Sequence, residues 1–216
     1  MSKSQDRIQI VQKIITAANL YKSNLVGKTY LYVFDNRYIE VVYRTKDFLH
    51  LTGVNSSLSA KAFYKEATQG TLKHTQVWFT TRHPYDLCLK KAEYIDKLIA
   101  VTNTDTVLLE SVSTDSAVYQ FGVTELNFTL CLNIDTDDTG KIVSNYYTPR
   151  SLRAEDSFNR SGNVYEVDFI LSKDNDKALY TTVTFSDKRK SLDDIPDAIK
   201  KRISPDLLSK LEPSAD

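Results

Sequence analysis

The residues able to do chemistry fall in three short stretches. His50 lies in Phe48-Leu49-His50-Leu51-Thr52-Gly53. Read as extended chain, alternation puts Phe48, His50 and Thr52 on one face and Leu49 and Leu51 on the other. Gly53 then lets the backbone come close to another group. A lone histidine in such a setting is more often structural than reactive; the adjacent hydroxyl and glycine single this one out. Arg82-His83-Pro84 sets two basic side chains ahead of a helix starting at Tyr85, whose N-terminus favours an anion. A helix-entry turn with exposed charges explains the same residues. The stretch 147–158 (YTPRSLRAEDSF) reads as a connection between strands and gathers Arg150, Ser151, Arg153, Glu155, Asp156 and Ser157. Guanidinium groups pair with phosphate through a planar fork of donors, but a surface loop with internal ion pairs is the plainer reading.

Other chemistries find little support. The phosphate-cradling patterns G-x-x-x-x-G-K-[ST] and G-x-G-x-x-G do not occur, nor does a G-x-S-x-G elbow. His50, His74 and His83 are isolated, and Cys88 and Cys131 stand alone, so neither a metal site nor another cofactor is expected. The segment from Asp135 begins like a calcium loop, but Tyr146 stands where the bidentate Glu would be, so a hairpin turn is expected. Glu125 to Asn133 reads as a strand with Leu126, Phe128, Leu130 and Leu132 facing the core and Glu125, Asn127, Thr129 and Cys131 opposite. That second face suits the floor of a polar cleft, though an ordinary solvent-facing sheet surface fits better.

These groups are positioned by an α+β pattern. Ile8, Val11, Ile15 and Ala18 mark a first helix, with Ile14 beside them. Lys28–Phe34 and Tyr38–Tyr43 form a hairpin about Asp35-Asn36-Arg37. Ser59 caps a helix that ends near Gly70. Tyr85 to Ala100 is an amphipathic helix, with Cys88, Ala92, Ile95 and Ile99 in line. Period-two segments follow at 106–111, 116–122, 125–133, 143–148, 163–172 and 178–185. The expectation is N-terminal helices packed on a curved antiparallel sheet over residues 1–186, then a polar helical tail over 187–216 that either docks on the sheet or stays partly mobile.

The 216 residues carry 28 basic and 28 acidic side chains, which disfavours indiscriminate binding to nucleic acid. The charge is unevenly spread: residues 1–100 hold 15 Lys and Arg against 8 Asp and Glu. Such asymmetry hints at an anionic partner for the first half, or at two halves that attract one another. No run is long and apolar enough for a membrane span, and the start does not read as a secretory signal. With two isolated cysteines, a reducing, cytoplasmic setting is expected.

Taken in order, GKTYLYVFDNRYIEV (27–41), FLHLTGV (48–54), LSAKAFY (58–64), RHPYDLC (82–88), FGVTELNFTLCL (121–132), PRSLRAEDSF (149–158) and LSKDN (171–175) resemble the phage-type nuclease-like domains of the barnase–EndoU–colicin–RelE superfamily. The closest branch is the fourth phage-type group, found in Gram-positive bacteria, prophages and mobile elements. The similarity spans roughly residues 25–186. It implies RNA cleavage on the sheet face without metal, by attack of the 2′-hydroxyl on the adjacent phosphate. On that footing His50 is the candidate base or acid, because an imidazole titrates near neutrality. Arg153 is the candidate phosphate clamp, with Arg82 a weaker second. Thr52, Ser151 and Ser157 would bond phosphate oxygens, and Asn127 would orient the substrate or His50. Zero net charge suits a structured small RNA, such as a tRNA or a guide RNA held in a host ribonucleoprotein or effector. Tyrosines, 13 in all, could stack on unpaired bases. A toxin or counter-defence (anti-CRISPR-like) role follows from the implied origin. The other reading is a module that inhibits a host protein or RNA complex by binding alone.

Overall fold

The computed structural model describes residues 3–115, 117–137 and 139–211. Helix α1 (Lys3–Asn24) leads into the hairpin β1 (Lys28–Phe34) and β2 (Arg37–Val42). Asp35 and Asn36 both take positive φ, the backbone of the tight turn whose twist suits a two-residue hairpin. Helix α2 (Phe48–Thr52), the short pair β3 (Asn55–Ser56) and β4 (Val77–Trp78), α3 (Ala60–Gln69) and α4 (Tyr85–Ile95) follow. Then come β5 (Val107–Ser113), β6 (Val118–Thr124), β7 (Thr129–Thr136), β8 (Ile142–Arg153), β9 (Asn163–Glu166), β10 (Phe169–Asp174) and β11 (Thr182–Ser186). Helices α5 (Asp197–Lys200) and α6 (Pro205–Leu211) close the described chain.

The protein is α+β, with one large, mostly antiparallel sheet ordered β11-β10-β1-β2-β8-β7-β6-β5-β9 among the described residues. The β2–β8 junction is parallel, through Val41 and Tyr147. The segment expected as one strand over 163–172 is two. Its first part pairs with β5 at one edge, and its second pairs with β1 near the other. Only Val167 and Asp168 separate them, so the sheet must curl until its ends meet. Asp168 donates its backbone N–H to Val33, and Val167 to Thr106. Arg37 seals the meeting: its guanidinium lies 4.6 Å from the Tyr165 ring and 5.0 Å from Phe34, and bonds Glu110 at 3.2 Å.

One face of the sheet, with Tyr30, Tyr32, Phe34, Leu130 and Leu132, packs on α1–α4. In α1 the buried line is Ile10, Ile14, Ala17 and Tyr21 with Val11 and Ala18, one residue round from the expected stripe; Ile8 and Ile15 are half-exposed. On the opposite face Leu31, Val33, Phe169 and Leu171 pack against Ile195, Ile199, Ile203 and Leu207. β1 is therefore buried on both sides, which explains its unbroken apolar run. The described part of the expected tail is thus docked on the sheet. Arg202 reaches Glu40 of β2 at 2.6 and 3.0 Å, and Tyr180 donates to the same carboxylate.

Replacing the fully buried Ile199 with Ala should lower stability by about 2–4 kcal/mol, the cost of emptying a packed site. Chemical denaturation of both proteins measures it; an unchanged midpoint would mean that this segment contributes nothing to the core.

Candidate active site

Phe48–Thr52 is helical, not extended. Helical spacing buries Phe48, Leu51 and Thr52 and turns His50 outward, away from Phe48. Thr52 is fully buried, and its hydroxyl donates to the Leu49 carbonyl at 2.7 Å. It therefore holds the end of α2 instead of lining a surface. His50 is exposed at its edge, yet partial desolvation and the nearby charge of Arg150 both lower its pKa. The imidazole is neutral at pH 7 and able to accept a proton.

The loop that delivers α2 is anchored by charge. Arg44 grips Asp135 of β7 with two bonds of 2.6 Å, and Ser144 adds a third at 2.9 Å. Burial pushes the Asp135 carboxyl up, but those hydrogen bonds, with the charges of Arg44 and Lys46, bring it below its ordinary value.

Residues 149–153 belong to β8, not to a connecting loop. Cys131 pairs with Ser151 but Leu132 pairs with Pro149, which leaves Arg150 as the extra residue of a bulge. Bulges re-aim side chains, and this one brings the Arg150 guanidinium within electrostatic reach of both His50 and Asp47. Arg150 also donates to Thr136 at 3.1 Å. Ser151 is half-buried beside Cys131. Arg153 sits opposite Thr129 and bonds Glu155 at 3.0 and 3.2 Å. Ser157 is 4% exposed, with φ 59° and a hydroxyl that has no hydrogen-bond partner among the described residues. A serine held in the left-handed region is strained, and such strain gathers at functional sites.

The helix α4 supplies the other wall, since α2 packs on both α4 and β8. His83 closes the turn from Thr80 through reciprocal backbone bonds of 3.0 and 3.1 Å, with Arg82 exposed at the bend. Its pKa is lowered by desolvation, then by Lys91, Arg153 and Arg82. Lys91 was not singled out from the sequence. It lies on the buried stripe of α4 with Cys88, Ala92 and Ile95 and is 5% exposed. The signal was available: a lysine three residues after Cys88 and four before Ile95 falls on the apolar face. Gly53, at φ 74°, lies directly over it. A Cβ there would sit 3.0 Å from Lys91 Cδ and 3.5 Å from Nζ. Burial pushes the Cys88 thiol up to about 11 and the Cys131 thiol up to about 12, so both stay protonated.

Asn127 lies elsewhere than expected. The strand β7 begins at Thr129, and Glu125–Phe128 is the turn into it; Leu126, expected in the core, is 62% exposed at φ 81°. Asn127 is exposed and bonds Glu125 at 2.9 Å. Cys131 is no cleft floor either, since it packs with Leu109 and Val112. The segment at Asp135 includes a hairpin turn in which Asp137 accepts from Thr139 and Lys141; Asp138 lies outside the described residues. Among the described residues no group of three or more His, Cys, Asp or Glu is placed to hold a metal ion. None of their helices is long and apolar enough to cross a membrane.

Asp47 is a second residue that sequence reasoning passed over. It is 3% exposed, and one carboxylate oxygen has no hydrogen-bond partner among the described residues. Burial raises its pKa to about 6 against the pull of Lys46, Arg150 and Arg44.

Two groups of cationic and imidazole side chains thus flank the packing of α2 on α4 and β8: His50 with Arg150, and His83 with Lys91, Arg153 and Arg82. The chain matches the phage-Barnase-EndoU-ColicinE5/D-RelE like nuclease4 family over residues 13–189, and it belongs to that family. Comparison with curated proteins and with solved structures finds no match.

Two stability measurements check this geometry. Asp135→Asn should cost about 2–3 kcal/mol at pH 7, less than a wholly buried pair because Arg44 is 34% exposed. The deficit should shrink as pH falls through the depressed pKa of Asp135, because the paired carboxylate stabilises the fold only above it. Asp47→Asn has the opposite sign. The folded state holds the Asp47 proton up to about pH 6 while the unfolded chain releases it near 3.8, so stability is lost as pH rises between those values and stays lost above them. The variant should gain about 1–3 kcal/mol at pH 8 and nothing at pH 4, read from denaturation midpoints.

Proposed function

We propose that this protein is a metal-independent endoribonuclease acting on a structured small RNA, such as a tRNA or a guide RNA. Membership of a nuclease-like family supports the broad class. The observation that carries the finer reading is the neutral His50 imidazole with Arg150 beside it, on a helix that packs against α4, before which His83 stands within reach of Arg153. His50 removes the proton of the 2′-hydroxyl, whose oxygen attacks the adjacent phosphorus. The bond from phosphorus to the 5′-oxygen breaks, and that oxygen takes a proton from solvent water. The products are a cyclic phosphate and a free 5′-hydroxyl. Arg150 and Arg153 oppose the charge that builds on the phosphorane oxygens. Ser151, half-buried, is a hydrogen-bonding position on the same stretch; the Ser157 hydroxyl is closed off and reaches a phosphate only if that stretch opens, and Arg82 adds charge at the rim. A toxin or counter-defence role against a host ribonucleoprotein suits a fold of phage association.

A binding-only role has one observation in its favour: Arg153 is already paired with Glu155. An inhibitor that occupies a host RNA complex needs no free clamp.

Total bacterial RNA and guide RNA, free and effector-bound, incubated with the protein in EDTA separate the readings. Discrete cuts with cyclic-phosphate ends are expected. His50→Ala should lower the rate about 10²–10⁴-fold and Arg153→Ala about 10²-fold in folded protein. Because the His50 pKa lies below 6.5, the wild-type rate should be flat near neutrality and fall on acidification below that value. The limb should vanish from the residual activity of His50→Ala. Intact RNA in every sample would favour the inhibitor.

A further inference from the structure

Lys91 is 5% exposed as a residue, with its stem packed in the fold and its ammonium at the edge of solvent. No described residue bonds its ammonium or forms an ion pair with it. Its electrostatic neighbours are Arg153, which repels it, and the thiols Cys88 and Cys131, which stay neutral. His83, itself within reach of Arg153 and Arg82, adds no negative charge. A largely desolvated charge with like charges around it is stabilised by any anion that reaches it. Glu155 does not: it is turned to Arg153 and, at 3.9 Å, to Arg160. Gly53 also keeps the space over the lysine clear, since any side chain there would press on Cδ and stand 3.5 Å from the ammonium.

We propose that Lys91, with Arg153 and His83, forms an oxyanion subsite that takes one phosphate group of a nucleic acid. The subsite deepens the ribonuclease reading and rests on it for the identity of the natural ligand; its capacity for a phosphate anion does not depend on cleavage. An arriving phosphate supplies the negative charge that this corner of the fold lacks. It lies beside Gly53, the residue that closes α2.

Thermal unfolding in inorganic phosphate, against chloride at equal ionic strength, tests this with the full chain. Phosphate at ten times its dissociation constant should raise the wild-type Tm by about 4 °C. Lys91→Met keeps the length and burial of the stem and removes the charge. It should melt higher than wild type without phosphate and lose the phosphate response. A merely structural lysine would behave oppositely, with a lower Tm in Lys91→Met and an equal phosphate shift in both proteins; either result overturns the proposal. His50→Ala should retain the full phosphate shift. If it does while RNA remains uncut by wild type, the subsite stands and the ribonuclease reading falls. If wild type shows no phosphate shift, the subsite falls whatever the RNA assay shows.

Discussion

The two residues Val167 and Asp168 constrain everything else. They are the whole connection between a strand at one edge of the sheet and a strand beside β1 near the other. A connection that short cannot cross a flat nine-strand sheet, at nearly 5 Å per strand. The sheet therefore curls, and Arg37, stacked on Phe34 and Tyr165 and bonded to Glu110, holds the closed edge. Curling gives the sheet one face that packs on α1–α4 and another that must be covered separately. The C-terminal helices cover β1 and β10 on that second face, and the segment around Phe158 covers Leu109, Val112 and Cys131.

The site follows from how α2 is delivered onto this frame. The chain leaves β2 beside β8 through a single parallel pairing, and Arg44 then clamps it to Asp135. That clamp sets where α2 starts, hence where His50 emerges. The bulge at Arg150 turns one guanidinium of β8 toward His50 and Asp47, while Arg153 stands within reach of His83 and Lys91. The basic groups come from both halves of the chain: His50, His83 and Lys91 from the first and Arg150 and Arg153 from the second. Local convergence lets a protein of zero net charge present a cationic site. The carboxylates nearby are either committed, as Glu155 is to Arg153, or largely buried, as Asp47 is.

Much of the framework was legible because it rests on local rules. Ser59 and Gly70 bound α3 as a cap and a left-handed stop, and the β1–β2 hairpin follows from its turn residues. Failures came where length or tertiary partners decide. Five residues of Phe48–Thr52 fit either period, and Gly53 in the left-handed conformation closes them as a helix. The apolar alternation over 125–133 continued through a turn, because Leu126 is exposed and only its pairing partners reveal that.

By itself the sequence determined the α+β class, the family motifs and the choice of His50, Arg82 and Arg153 as candidates, since residue type and short-range periodicity are local properties. Tertiary structure alone decided that Thr52 is spent on the backbone and that Asn127 sits in a remote turn. It also decided that Lys91 is buried without a counter-charge. Those outcomes depend on which distant strand or helix stands next to a side chain, and desolvation acts only once that neighbour is in place.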